Sequence, residues 1–292
     1  MSDKTGIEWT DATWNPVTGC DKVSPGCDHC YAETIAHRFD GTKAYPNGFR
    51  VTLRPERVNQ PIRWRRPRRI FVNSMSDLFH DQVPTPWLAE FFAVMAATPR
   101  HTYQILTKRH GRMRILLNEP GFAAMVIDRA RGKSDGAHTE WPLPNVWLGV
   151  STENQRWADI RIPALLDTPA AVRFISAEPL LGPIDLQLAV DPERGNGFWS
   201  SVSRLHWVIA GGESGPGARP MHPDWARSLR DQCETAGVPF LFKQWGEFTP
   251  ETVALPLSGE PGIGMRRVGK KAAGRELDGR TWDQYPQEAS VG

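Results

Sequence analysis

Three of the four cysteines, Cys20, Cys27 and Cys30, fall in one short segment, Gly19-Cys20-Asp21-Lys22-Val23-Ser24-Pro25-Gly26-Cys27-Asp28-His29-Cys30, while Cys233 stands alone. A disulfide framework spreads an even set of cysteines along a shorter secreted chain, whereas clustered thiols in a reducing compartment more often hold metal. The spacing C-x6-C-x2-C puts three thiolates on one loop. That is enough for three irons of a 4Fe-4S cluster, with the fourth iron left open to a cofactor or substrate. Pro25 and Gly26 supply the bend, and Cys30 stands where a helix should begin, so its first N–H groups would face an anionic cluster. Two other readings stay open: a zinc site completed by His29 or His37, and unliganded thiols. Structural zinc usually pairs two close-spaced knuckles, and here only Cys27-x2-Cys30 is present. Cys233 lies in an amphipathic stretch and reads as an inert core residue.

The elements that must position this loop follow from periodicity. Short apolar runs at 13–17, 70–73, 103–106, 146–150, 172–175, 206–210 and 240–243 predict strands, and amphipathic stretches at 29–39, 85–97, 155–166 and 223–236 predict helices. Asn154 and His222-Pro223-Asp224 are helix-start signals, and Gly237 is a stop signal. The alternation predicts an α/β fold, a partial or near-complete parallel (β/α) barrel of TIM-like form. The strands end in polar tips: Ser74-Met75-Ser76-Asp77, Thr107-Lys108-Arg109, Ser151-Thr152-Glu153-Asn154, Ser176-Ala177-Glu178-Pro179, Gly211-Gly212-Glu213-Ser214 and Gln244-Trp245-Gly246-Glu247. In parallel β/α folds these ends share the face that carries the site. The plainer reading is that they cap helices and fill turns.

The expected organisation is a barrel over 1–248, carrying the cysteine loop 20–30 and exposed insertions near 131–144 and 185–204. A tail over 249–292 would wrap the barrel or be partly mobile. A formal charge of +2 in 292 residues announces no bulk nucleic-acid affinity. No apolar run is long enough for a membrane helix and no secretion signal opens the sequence, so a cytoplasmic protein is expected.

On the cysteine loop, the chain resembles the radical S-adenosylmethionine superfamily. Its members carry three cysteines after the first barrel strand, with an aromatic residue before the last; His29 holds that position and Tyr31 follows. The commonest spacing there is C-x3-C-x2-C, so the six-residue gap is a departure. From Gly6-Ile7-Glu8-Trp9-Thr10 through Phe242-Lys243-Gln244-Trp245-Gly246 to Leu277-Asp278-Gly279-Arg280, the sequence also resembles a phage and bacterial family of unknown function marked by a three-cysteine motif. The superfamily resemblance implies that the open iron chelates S-adenosyl-L-methionine and that a 5′-deoxyadenosyl radical is formed. It also implies a flavodoxin- or ferredoxin-like reductant protein. Members usually have Gly-Gly-Glu after the second strand to support the methionine amino group. Here Ser74, Ser76 or Asp77 would do that work, and Gly211-Gly212-Glu213 occurs after the sixth strand instead, where the glycines allow a ligand or a tight turn to come close. Ser151, Glu153 and Asn154 would meet the ribose and methionine carboxylate, or cap the next helix; Glu178 would be a site carboxylate or a turn residue.

Lys108, Lys243, Gln244 and Glu247 are the candidate catalytic residues, with Arg109 and Trp245 beside them. Basic groups with a flat indole suit a phosphate-bearing, base-containing substrate. The alternative is that Trp245 packs under the tail and Lys243 pairs with Glu247. Arg63-Trp64-Arg65-Arg66-Pro67-Arg68-Arg69 resembles a nucleic-acid patch but should lie opposite the site. Nucleic-acid repair or modification, radical chemistry on a peptide or small metabolite, and a non-catalytic zinc-stabilised module are the competing functions. Oligomeric state is not legible.

Overall fold

Seven parallel strands cross one sheet in sequence order in a computed structural model of the chain, which describes residues 5–186, 202–254 and 261–286. They are β1 (Ala12–Trp14), β2 (Arg69–Val72), β3 (Thr102–Thr107), β4 (Val146–Ser151), β5 (Val172–Ala177), β6 (Trp207–Gly211) and β7 (Phe240–Gln244). Every ladder between them is parallel. The sheet curls into a half-barrel, the expected partial TIM-like form.

The crossovers carry α1 (Tyr31–Arg38), α2 (Thr85–Ala96), α3 (His110–Leu117), α4 (Pro120–Arg131), α5 (Gln155–Leu166) and α6 (Pro223–Ala236). Both faces of the sheet are covered, so its strands are largely apolar, and all residues of β4 and β6 are buried. The outer face packs on the helices through Ile70, Val72, Tyr103, Ile105, Val150, Phe240 and Phe242, with Phe91 and Phe92 of α2 beneath. Burying each such aromatic ring contributes about 1.5–3 kcal/mol.

The concave face holds a second cluster: Trp9, Phe71, Trp147, Val172, Phe174, Trp207, Ile209 and Leu241. Trp9 stands edge-on to Phe71 at 4.7 Å and to Trp207 at 5.9 Å. These residues fill the amino-terminal half of the half-barrel. Two-residue alternation then makes Asn73, Ser151, Ser176, Gly211 and Lys243 the next inward positions, at the carboxyl mouth.

Three expectations are corrected. The first strand ends at Trp14 and not at 17, because Pro16 has no N–H for the ladder; Val17–Thr18 pairs antiparallel with Thr52–Leu53 instead. Helices α3 and α4 stand where none was expected. The expected insertion 131–144 is exposed only in its first part: Leu143 is buried, and the Trp141 ring lies 5.9 Å from both Phe92 and Phe122 while its Nε1 donates to Leu117 O. The expected insertion 185–204 lies outside the described residues over 187–201, as do 255–260 and 287–292 of the tail.

In the described tail, β8 (Phe248–Ala254) and β9 (Pro261–Arg267) form an antiparallel hairpin. Residues 282–284 line the free edge of β7, with Phe242 N donating to Trp282 O at 2.9 Å and Gln284 N to Phe240 O at 3.2 Å. That pairing covers an otherwise open sheet edge. Among the described residues no helix is long and apolar enough to cross a membrane.

Candidate functional site

The cysteine loop leaves β1 over the carboxyl mouth. Gly19 N donates to Met75 O at 3.0 Å, which ties the loop to the tip of β2. Gly19 has φ +86°, and a Cβ there would sit 2.2 Å from Arg50 O, so the residue before Cys20 must be glycine. Pro25–Cys27 forms a single 3-10 turn, and Cys30 is the N-cap of α1. Cys20, Cys27 and Cys30 are free and partly exposed, while Cys233 is buried in α6. Burial, then the Asp77 carboxylate, push the Cys20 thiol up to about 11, against the pull of the Arg109 guanidinium beside it. Among the described residues, no three His, Cys, Asp or Glu side chains are gathered tightly enough for one metal ion.

Two arginine–carboxylate pairs approach the loop from the barrel. Glu153, just past β4, is fully buried, as is Arg161 of α5, whose NH1 lies 2.8 Å from Glu153 Oε2. Glu153 Oε1 accepts from Ser24 Oγ at 2.6 Å and lies 3.6 Å from Lys108 Nζ. A Cβ on Gly26 would meet that carboxylate at 2.5 Å. On the other side, Arg219 donates from its Nε and NH2 to both carboxylate oxygens of buried Glu213, at 2.8 and 2.7 Å. The same guanidinium reaches Pro25 O at 2.8 Å and Asp28 Oδ2 at 3.1 Å. Hydrogen bonding to Glu213 holds Arg219 above its ordinary pKa.

The polar tips divide between structural work and the mouth. Asp77 accepts from Thr107 Oγ1 at 2.7 Å and from Lys108 N at 2.9 Å, clamping the ends of β2 and β3 together. Ser74 Oγ donates to Asn15 Oδ1 and Ser76 Oγ to Val17 O, while Ser74 O accepts from the Tyr31 hydroxyl. Ser151 O accepts from Arg161. Asn154 caps α5, accepting from Trp157 N at 3.4 Å, which is the plainer of its two readings.

Glu178 pairs with Lys243 at 3.0 Å and accepts from Ser176 Oγ at 3.2 Å, and the two tips of β5 and β7 meet over Gly211, where a Cβ would lie 2.6 Å from Glu178 Oε1. Lys243 therefore pairs with Glu178 and not Glu247. Gly212 is close to the protein itself: a Cβ would lie 2.0 Å from Trp245 O. Trp245 is buried against Phe242 and donates to Glu276 O, so it packs under the tail. Gln244 is buried, with its Oε1 unpartnered among the described residues, and Glu247 accepts from Gly215 N at 3.0 Å.

Several residues at the loop escaped the sequence reading: Ser24, Arg161, Arg219 and His80, whose Nε2 lies 3.0 Å from Asp21 Oδ2. Asn73 is another. It is buried at φ +60° with neither amide atom partnered among the described residues. A non-glycine residue there is uncommon, asparagine being among those that tolerate it best, and its unpaired amide stands at a strand tip on the mouth. A strand-end asparagine was the only sequence signal.

Fold and site together define an α/β half-barrel whose carboxyl mouth is crossed by a three-thiol loop. The chain belongs to the family described as protein of unknown function (DUF5131), matched over residues 4–286. No curated protein matches it. A solved structure of spore photoproduct lyase complexed with dinucleoside spore photoproduct is similar at TM-score 0.37 and 13% identity, over 88% of this chain and 67% of that one.

Proposed function

We propose that this chain is a radical S-adenosylmethionine-type enzyme, with Cys20, Cys27 and Cys30 holding a 4Fe-4S cluster. The observation that carries the reading is the placement of three partly exposed thiols, with no fourth beside them, between the first strand and first helix at the barrel mouth. The donor set fits: three thiolates serve three irons and leave one corner for S-adenosyl-L-methionine. Bound there, the reduced cluster would supply one electron to break the C5′–S bond of S-adenosyl-L-methionine, methionine leaving and the 5′-deoxyadenosyl radical taking a hydrogen atom from substrate.

The chain's own residues position and protect. Trp9, Phe71, Phe174 and Trp207 close the floor and keep water from entering below. Ser74 and Ser76 each use their proton inward and keep acceptor lone pairs for an ammonium. Ser151, Ser176, Glu178 and Lys243 face the substrate, and Asn73 offers both a donor and an acceptor. The electron comes from a flavodoxin- or ferredoxin-like protein. The substrate class is nucleic acid, supported by the basic run 63–69, of which Arg63, Arg65 and Arg66 are exposed. Reducing anaerobically prepared protein with S-adenosylmethionine should release 5′-deoxyadenosine, and Cys30→Ser should abolish the release. Equal release from Cys30→Ser would refute the assignment.

A further inference from the structure

Resting on that cluster reading, we infer that Glu153 is a positioning residue for the cluster, acting through Ser24 and Gly26, and that it does not bind the ribose. Its side chain has no exposed surface and its acceptors are already engaged: Oε2 by Arg161 NH1 at 2.8 Å, Oε1 by Ser24 Oγ at 2.6 Å, with Lys108 Nζ at 3.6 Å. Ser24 is the N-cap of the turn that carries Cys27; it makes no capping bond, and its hydroxyl donates to Glu153 Oε1 and lies 4.0 Å from Cys27 Sγ. Gly26, the residue before Cys27, lies on the same carboxylate, so closely that a methyl group would fall 2.5 Å from Oε1 and 2.6 Å from Cγ. A flexible carboxylate would swing away. This one is held by Arg161, which also donates to Ser151 O at 2.7 Å and stacks on Trp157 at 4.2 Å.

The brace thus runs from β4 and α5 to Ser24 and Gly26, just before Cys27, while on the opposite side Arg219 holds Pro25 O and Asp28. It gives the long gap between Cys20 and Cys27 a fixed midpoint, so that Cys27 is presented at one height above the mouth. Groups that orient metal ligands typically change metal affinity about 10–100-fold when removed.

The test uses the full chain, reconstituted anaerobically, and reads iron retention under chelator competition and the EPR spectrum of the reduced cluster. Ser24→Ala and Gly26→Ala should each lose about tenfold in iron affinity and alter the EPR line shape. In Gly26→Ala/Glu153→Asp the carboxylate withdraws by one methylene, making room for the added methyl, and iron retention should recover to that of Glu153→Asp alone. Ser24→Ala adds no bulk, so it reports on the brace even where Gly26→Ala fails to fold. Unchanged iron affinity and spectrum in Ser24→Ala, or a double variant that retains less iron than Glu153→Asp alone, would overturn the inference. Wild-type protein that takes up no iron would instead overturn the cluster reading and this inference with it.

Discussion

Arg161 has no exposed side-chain surface, and its Nε and NH2 have no partner among the described residues. Burial lowers its pKa, and the Glu153 carboxylate opposes that shift. A buried pair of this kind adds little stability compared with an apolar replacement of both members, but removing one member leaves an uncompensated charge. Arg161→Met should therefore cost about 3–5 kcal/mol in urea unfolding, and a loss within error of zero would contradict a buried charged pair at this position. The cysteines were legible because their ligand spacing is local in sequence. Arg161 and Arg219 were not, because what gives them meaning is the loop they reach. Arg219 is 194 residues from Pro25, and nothing in its own neighbourhood signals that contact.

The strands were legible as elements, since most are short, mainly apolar runs ending in polar residues, and two-sided burial favours such runs. Helices α3 and α4 were not, because Asn118-Glu119-Pro120 interrupts the amphipathic pattern between them. The tail packs by its own local device. Asp278 and Gly279 both have positive φ and join Glu276–Leu277 to Arg280–Thr281, the two-residue turn that suits a twisted hairpin. Arg227 and Arg230 of α6 hold the Asp278 carboxyl below the ordinary carboxylate range. A depressed folded pKa contributes stability above the unfolded value of about 4 and loses it as pH falls through the folded value. The pair is partly exposed, so the contribution is small. Asp278→Asn should accordingly speed hydrogen exchange around Leu277 and Trp282 at neutral pH, with the difference from wild type vanishing on acidification below about pH 4. A difference that persisted in acid would assign the effect to the turn and not to the ion pair.

Across the whole molecule, the three thiols and the basic run sit at opposite ends of the half-barrel. The thiol loop crosses the carboxyl mouth, while the basic run precedes β2 at the amino end, beneath the aromatic floor. There Arg69 is already used, paired with Asp11 and lying 4.6 Å over the Tyr285 ring. Exposed Arg63, Arg65 and Arg66 remain for phosphates. If a polymer is gripped there, changing these three to Ala should weaken nucleic-acid binding uniformly across sequences and flatten the slope of log affinity against log salt by about 0.9 per lost contact; an unchanged slope would remove the run from the interface. The central claim is the cluster. Iron and acid-labile sulfide in oxygen-protected protein test it most directly: the account predicts about four irons per chain, lost in the Cys20→Ser/Cys27→Ser/Cys30→Ser variant. Colourless protein holding one zinc per chain would contradict it.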